Sequence, residues 1–212
     1  MFRTRVKICG ITRPEDGRCA TAHGADAIGL VFFSDSPRHV TIATAMDVIA
    51  AIDPFVTIVG LFVNARASEI EQVLGQVPLD LLQFHGQERN ADCNRFGVPF
   101  IKSIAMRPDI PVPGIMSSYP DARGFLLDTW QPQTHGGGGQ AFDWQQIPAD
   151  LESPFILAGG LDPENVAAAI RQVRPYAVDV SSGVESAPGI KSADKISAFM
   201  NGVSSSGTDT GN

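Results

Sequence analysis

The sequence predicts an α/β protein, a (β/α)8 TIM barrel in a single domain, on three observations. Short apolar runs alternate with helical stretches about eight times along 212 residues, an average period of about 26 residues. Some runs are almost continuously apolar, such as DAIGLVFF at 26–33, as expected of parallel strands buried on both faces. The length leaves little room for inserted domains around such a barrel. A doubly wound open sheet is the alternative, because periodicity does not distinguish a closed sheet from an open one. No internal sequence duplication accompanies the structural repeat.

Each element has a local reason. Val6 and Ile8 read as a short buried strand that stops at Cys9-Gly10, and a helix over 15–23 follows. Thr12 and Glu15 have the spacing of a capping box, and Pro14 suits a first turn. Gly24 closes that helix. After the strand at 26–33 come a polar loop at 34–40, a helix over 44–52 and a third strand at 55–63. Ser68 and Glu71 form a second predicted capping box. A fourth strand at 79–84 ends at His85-Gly86, with a helix over 88–96 and a fifth strand at 99–105. Four prolines between 106 and 120 predict an irregular crossover with a short helix at most. The sixth strand, 124–128, is followed by a glycine loop at 136–139 and a short helix near 143–147. The seventh, 155–158, ends at Gly159-Gly160, and Asp162-Pro163 predicts an N-cap with an N1 proline. The eighth, 176–180, leads through Ser181-Ser182-Gly183 to a last helix over 193–200. The expected domain is 1–202, with a disordered Ser/Gly/Thr-rich tail at 203–212.

Composition excludes several function classes. With 43% hydrophobic residues the chain can bury a sizeable core. A formal net charge of −7 argues against a nucleic-acid partner. Cys9, Cys19 and Cys93 are odd in number and widely spaced, which favours a reducing compartment without disulfides or a cysteine zinc site. No apolar run approaches the length of a membrane span, and the N-terminus lacks a leader-like h-region. The expectation is a cytoplasmic protein with no membrane partner and no metal.

In a barrel every strand-end residue reaches one rim, where ligands bind. That rim would collect Cys9, Arg38, His85, Asp128, Gly159-Gly160 and Ser181-Ser182-Gly183. Taken alone, Cys9 is more often a small buried hydrophobe than a nucleophile or base; its strand-end position makes the two readings even. Asp128 either caps the next turn or is a proton donor whose pKa is raised on a half-buried rim. Arg38, in a loop held by Pro37, is either solvated or aims a bidentate fork at a substrate carboxylate. His85 is more often structural than catalytic, and the glycine loop is either a plain linker or a mobile lid. Bare amides at 159–160 and 181–183, backed by a short helix, are a common way to hold phosphate.

These residues sit in blocks that together are specific. They are VKICGIT at 6–12, GLVFFSDSPRHV at 29–40, VGLFVN at 59–64, LLQFHG at 81–86, FLLDT at 125–129, GGGGQAFDW at 136–144, LAGGLDPENV at 157–166 and VDVSSGVE at 178–185. In this order and spacing the chain resembles the phosphoribosylanthranilate isomerases of tryptophan biosynthesis. The resemblance implies an Amadori rearrangement of N-(5-phosphoribosyl)anthranilate, a phosphosugar, with no cofactor. It implies Asp128 as general acid, Cys9 as general base, and Arg38 as ligand of the anthranilate carboxylate. It puts Gly159, Gly160, Ser182 and Gly183 at the phosphate and His85 among the substrate-binding residues. Gln140 stands where lysine is common in the family, and the Pro-rich fifth crossover is irregular. If Cys9 is the base, it should be exposed at the pocket mouth, partly thiolate near neutral pH and alkylated before Cys19 and Cys93. The expected assembly is a monomer or homodimer.

Three other readings compete. A phosphosugar epimerase would need metal-ligand histidines at several strand ends, and only His85 is well placed. Histidine-pathway isomerases usually pair two strand-end aspartates, and Cys9 replaces one here. A non-catalytic phosphate sensor on the same barrel would be favoured by loss of Cys9 or Asp128, and both are present.

Overall fold

The computed structural model describes residues 3–129, 142–148, 151 and 153–206. Eight parallel strands close on themselves in sequential order: β1 (Arg5–Cys9), β2 (Ala27–Val31), β3 (Thr57–Phe62), β4 (Leu81–Phe84), β5 (Phe100–Met106), β6 (Phe125–Thr129), β7 (Phe155–Leu157) and β8 (Ala177–Val180). Closure decides against the open doubly wound sheet. The joining pair is β1 with β8, in register Lys7 to Asp179. Ala105 on β5 lies opposite Asp128 on β6.

The period-2 alternation of each strand sorts its side chains between two layers. Val6, Ile8, Ile28, Leu30, Val178 and Val180 join one large cluster with helix residues such as Ile196 and Phe199. The alternate residues face the barrel interior, where Cys9, Val31, Leu61 and Val63 make a small cluster near the strand ends.

The outer layer consists of α1 (Pro14–Ala22), α2 (Ile42–Ile49), α3 (Ala67–Leu74), α4 (Asn90–Asn94), α5 (Val112–Ser117), α6 (Val166–Val173) and α7 (Ala193–Ser205). The Pro-rich crossover does hold only a short helix, α5. A 3-10 turn over Trp144–Gln146 occupies the predicted short helix after β6. The glycine loop at 136–139, Gln140 and His135 lie outside the described residues.

Several local readings are corrected. The helix after β1 is not capped by Thr12: its N-cap is Arg13, with no side-chain cap bond, and the Thr12 hydroxyl donates to the Gly189 carbonyl at 2.5 Å. The helix after β3 starts one residue earlier than Ser68, with Glu69 accepting from the Arg66 amide at 2.9 Å. Asp162 accepts from the Glu164 and Asn165 amides at 2.8 and 2.9 Å, but these form a turn, and α6 begins at Val166. The boundary at 203 also moves. Helix α7 continues to Ser205 and buries Val203, which is 4% exposed, so the body extends past the predicted tail start. Residues 207–212 lie outside the described residues.

A hairpin between β8 and α7 has no counterpart in the sequence reading. Its strands, β9 (Glu185–Ala187) and β10 (Ile190–Lys191), are antiparallel and stand apart from the barrel. It carries two residues of the candidate site.

Candidate active site

The strand ends deliver one cleft, lined by Cys9, Arg38, His85, Asp128, Asp179 and Ser181 together with Val31, Phe33, Leu61, Val63 and Gln83. Four of the predicted site residues therefore converge. Each arrives from a different strand or from the loop after it, which is how the barrel assembles distant sequence positions.

Asp128 is the penultimate residue of β6 and is 8% exposed. Its Oδ1 accepts the Thr129 amide at 2.8 Å, and its Oδ2 lies 3.2 Å from His85 Nε2. His85, just past β4, is held in turn at Nδ1 by Gln83 Nε2 at 3.1 Å, and Ser103 Oγ lies 3.3 Å from its Nε2. His85 thus touches the predicted acid directly.

Cys9 ends β1, and the expectation of an exposed thiol fails: it is 6% exposed. Burial pushes its thiol above the ordinary range, against the opposing pull of the Lys7 ammonium; Asp179 adds to the rise and Lys191 opposes it. Lys7 sits two residues earlier on the same strand face and donates to Asp179 Oδ1 at 2.8 Å. Burial disfavours its charge, but Asp179 and Cys9 overcome that and hold Lys7 above the usual lysine value. Burial also raises Cys19, and it pushes Cys93 up to about 12.

Arg38 reaches the rim, but its fork is partly engaged. Its Nε and Nη2 donate to the two oxygens of Glu185, both at 2.8 Å, and Glu185 also accepts from Lys191 Nζ at 2.8 Å. Only the Nη1 side of the guanidinium has no hydrogen-bond partner among the described residues. The reading of a wholly free bidentate fork is therefore corrected to one with a single open edge. Burial works against Glu185's charge, yet Arg38 and Lys191 hold its carboxyl below the ordinary glutamate value. Lys191 is pushed down by burial, against the pull of Glu185. Lys191 also donates to the Ser181 carbonyl at 3.1 Å, and Ser181 Oγ donates to the Cys9 carbonyl at 3.0 Å.

The two predicted phosphate loops meet. Gly159 has φ +81°, and a Cβ there would overlap the Thr129 hydroxyl and crowd Asp128 Oδ1, so only glycine lets the β7 loop pass Asp128. A Cβ on Gly183 would overlap the Leu161 carbonyl oxygen, which keeps the β7 and β8 loops in contact. Gly160, also at positive φ, donates no side chain; its carbonyl accepts from Asn165 Nδ2 at 2.8 Å. Ser182 opens the 3-10 turn Ser182–Val184 directly after β8.

Sequence reasoning missed Lys7, Gln83, Asp179, Glu185 and Lys191. Lys7 and Asp179 were visible as ionisable residues inside apolar strand runs. Glu185 and Lys191 carried no such signal. A larger cavity of about 550 Å³, lined by Trp144, Ile147, Leu151, Phe155, Arg171 and Arg174, holds none of the residues that end the strands at the site's rim. Among the described residues no group of His, Cys, Asp or Glu has the arrangement of a metal site.

The family model described as N-(5′-phosphoribosyl)anthranilate (PRA) isomerase matches residues 6–202. The chain belongs to the PRA isomerase family. A curated PRA isomerase of Pseudomonas aeruginosa is 54% identical over 205 residues, covering 97% of both chains. A solved phosphoribosylanthranilate isomerase in complex with reduced 1-(o-carboxyphenylamino)-1-deoxyribulose 5-phosphate superposes with a TM-score of 0.84 at 37% identity, over 95% of this chain and 99% of that one. Monomers generated from the dimeric Thermotoga maritima PRA isomerase give 0.84 at 36% identity with the same coverage. With these PRA isomerases the chain thus shares nearly its whole length and its barrel fold.

Proposed function

We propose that the cleft at the strand ends carries out the Amadori rearrangement of N-(5′-phosphoribosyl)anthranilate to 1-(2-carboxyphenylamino)-1-deoxyribulose 5-phosphate, a step of tryptophan biosynthesis. The protein is an isomerase of this class, and its substrate is a small phosphosugar. The observation that carries the reading is the convergence of Cys9, Arg38, His85 and Asp128 on one cleft in a chain of this family.

The chemistry divides between two groups. Asp128 gives its proton to the furanose ring oxygen, the C1′–O bond breaks, and the ring opens to a Schiff base. Cys9 takes the proton from C2′, and the electron pair of that C–H bond moves to form the enolamine. Tautomerisation to the ketone completes the reaction with no cofactor. His85 stands beside the acid on the substrate side. The open edge of Arg38 receives the anthranilate carboxylate, a charge-assisted contact of the stronger kind. Gly159, Gly160, Ser182 and Gly183 receive the phosphate through backbone amides.

Cys9 takes the proton only as thiolate, a form that burial disfavours and the Lys7 ammonium favours. Lys7, Lys191 and Arg38 surround it with positive charge, balanced in part by Asp179 and Glu185. That field favours the thiolate once the proton has left. Purified protein should consume N-(5′-phosphoribosyl)anthranilate in a fluorescence assay without added metal or cofactor, and absence of turnover would overturn the reading.

A homodimer is the assembly favoured here. Phe55 is 99% and Tyr176 55% exposed beside a cavity of about 280 Å³ at the N-terminal mouth of the barrel, walled by Ala27, Val59, Leu81 and Ile156. Sedimentation at micromolar concentration should give twice the chain mass, and a monomer would contradict it.

A further inference from the structure

Gln83 is buried in the barrel interior, 0% exposed, yet it is polar. Two residues before His85 on the same side of the strand, its Nε2 lies 3.1 Å from His85 Nδ1. Its Oε1 is buried and has no hydrogen-bond partner among the described residues. An apolar side chain of similar size would avoid that orphaned acceptor, whose burial is costly. The amide is retained against its own local cost, which asks for a reason at the site.

The reason lies in the ring. An imidazole nitrogen that accepts from an amide N–H cannot carry a proton, so the proton sits on the other nitrogen. That other nitrogen, Nε2, lies 3.2 Å from Asp128 Oδ2. If the amide were turned, its oxygen would face Nδ1, the ring proton would move there, and Nε2 would present a lone pair to the carboxyl oxygen. The turned amide would also bury an unpaired NH2 in place of an unpaired oxygen.

We propose that Gln83 is a positioning residue for the acid: its amide holds His85 in the tautomer with the proton on Nε2, aimed at Asp128. The inference rests on the reading of Asp128 as the proton donor. His85 then donates to Asp128 Oδ2 while the Thr129 amide donates to Oδ1 at 2.8 Å. Both bonds strengthen as the carboxyl becomes a carboxylate during ring opening, so they favour the transition state over the bound substrate. Ser103 Oγ, 3.3 Å from Nε2, is the competing acceptor for the same proton.

Two variants separate this role from packing. Gln83→Leu removes both the orphaned oxygen and the tautomer control, so the melting temperature should hold or rise while kcat falls at least about tenfold, part of the range of general-acid assistance. KM should change little, because substrate contacts remain. Gln83→Glu, above the pH at which its carboxyl ionises, accepts at Nδ1 and draws the ring proton there; in that range it should lose more activity than Gln83→Leu although it keeps a hydrogen bond to the ring. Imidazole ¹⁵N spectra of the whole enzyme supply the direct readout: His85 should carry its proton on Nε2 in the wild type and on Nδ1 in Gln83→Glu. A wild-type spectrum with the proton on Nδ1, or a tautomer indifferent to position 83, overturns the inference whatever the activities. The expected tautomers with unchanged kcat in both variants overturn its catalytic part. If Asp128→Asn stays active, the underlying reading fails instead, and the spectra still report separately on Gln83.

Discussion

At the scale of single residues, the site depends on which charges each group faces. Arg38 spends one edge of its guanidinium on Glu185, and under the proposed function the other edge takes the substrate carboxylate. Arg38→Ala should therefore weaken product binding by about 1.5–3 kcal/mol, the range for a charged hydrogen bond. A calorimetric titration showing the same loss for an analogue without the anthranilate carboxylate would place Arg38's contact elsewhere. The base role proposed for Cys9 gives a pH test. Because burial holds the Cys9 thiol above the ordinary range and Lys7 pulls it down, kcat/KM should climb with pH through the alkaline Cys9 ionisation. Removing the cation in Lys7→Met should move that climb to higher pH, since the thiolate loses its nearest favourable charge. An unmoved profile would show that another group governs it. Buried at 6% exposure, Cys9 should also react with iodoacetamide more slowly than the half-buried Cys19, the reverse of what its strand-end position alone suggested.

At the scale of elements, the hairpin of β9 and β10 brings Glu185 and Lys191 to Arg38. The folded-state carboxyl of Glu185 lies below its unfolded value, so ionised Glu185 stabilises the fold above about pH 4.3. That contribution drains away as pH falls through the lower folded value. Urea midpoints should fall with acidification in the wild type and less steeply in Glu185→Gln, and parallel pH profiles would contradict the ion triad. Helix α7 makes a second test, because Val203 packs into the core. Deleting 203–212 should remove about 1.5–3 kcal/mol of burial and lower the melting temperature by several degrees. Deleting 207–212 should leave it unchanged, and equal effects would be inconsistent with the anchoring of Val203.

The same elements explain what was legible beforehand. Apolar runs such as Phe125–Leu127 announce buried parallel strands, and the residue that ends each run is carried to the rim, so Cys9 and Asp128 could be found. Capping residues misled: Thr12 has the right spacing but turns to Gly189, across the hairpin that no local pattern foretold, and the helix near Ser68 is capped instead through Arg66 and Glu69. Burial of Cys9 and engagement of Arg38 depend on contacts with Lys7, Asp179, Glu185 and Lys191 from the far end of the chain. Long-range pairings of that kind leave no trace in spacing. Val203 looked like tail because one valine among serines has no periodic partner until the helix is built.

At the scale of the whole molecule, closure of β1 against β8 is what lets residue 9 and residue 181 share a hydrogen bond and face Asp128 across one cleft. No helix of the described residues is long and apolar enough to cross a membrane. A barrel of this kind separates stability, held by the strand–helix layer, from chemistry, held at the rim, so a rim substitution should leave the fold intact. The loss of the acid is therefore the most direct test of the whole account. Turnover of N-(5′-phosphoribosyl)anthranilate should be followed by fluorescence in wild-type and Asp128→Asn protein of matched melting temperature. The variant should bind product yet turn over about 10²–10⁴-fold more slowly, the usual worth of general acid help. A purified Asp128→Asn protein within about tenfold of wild-type kcat would contradict the account.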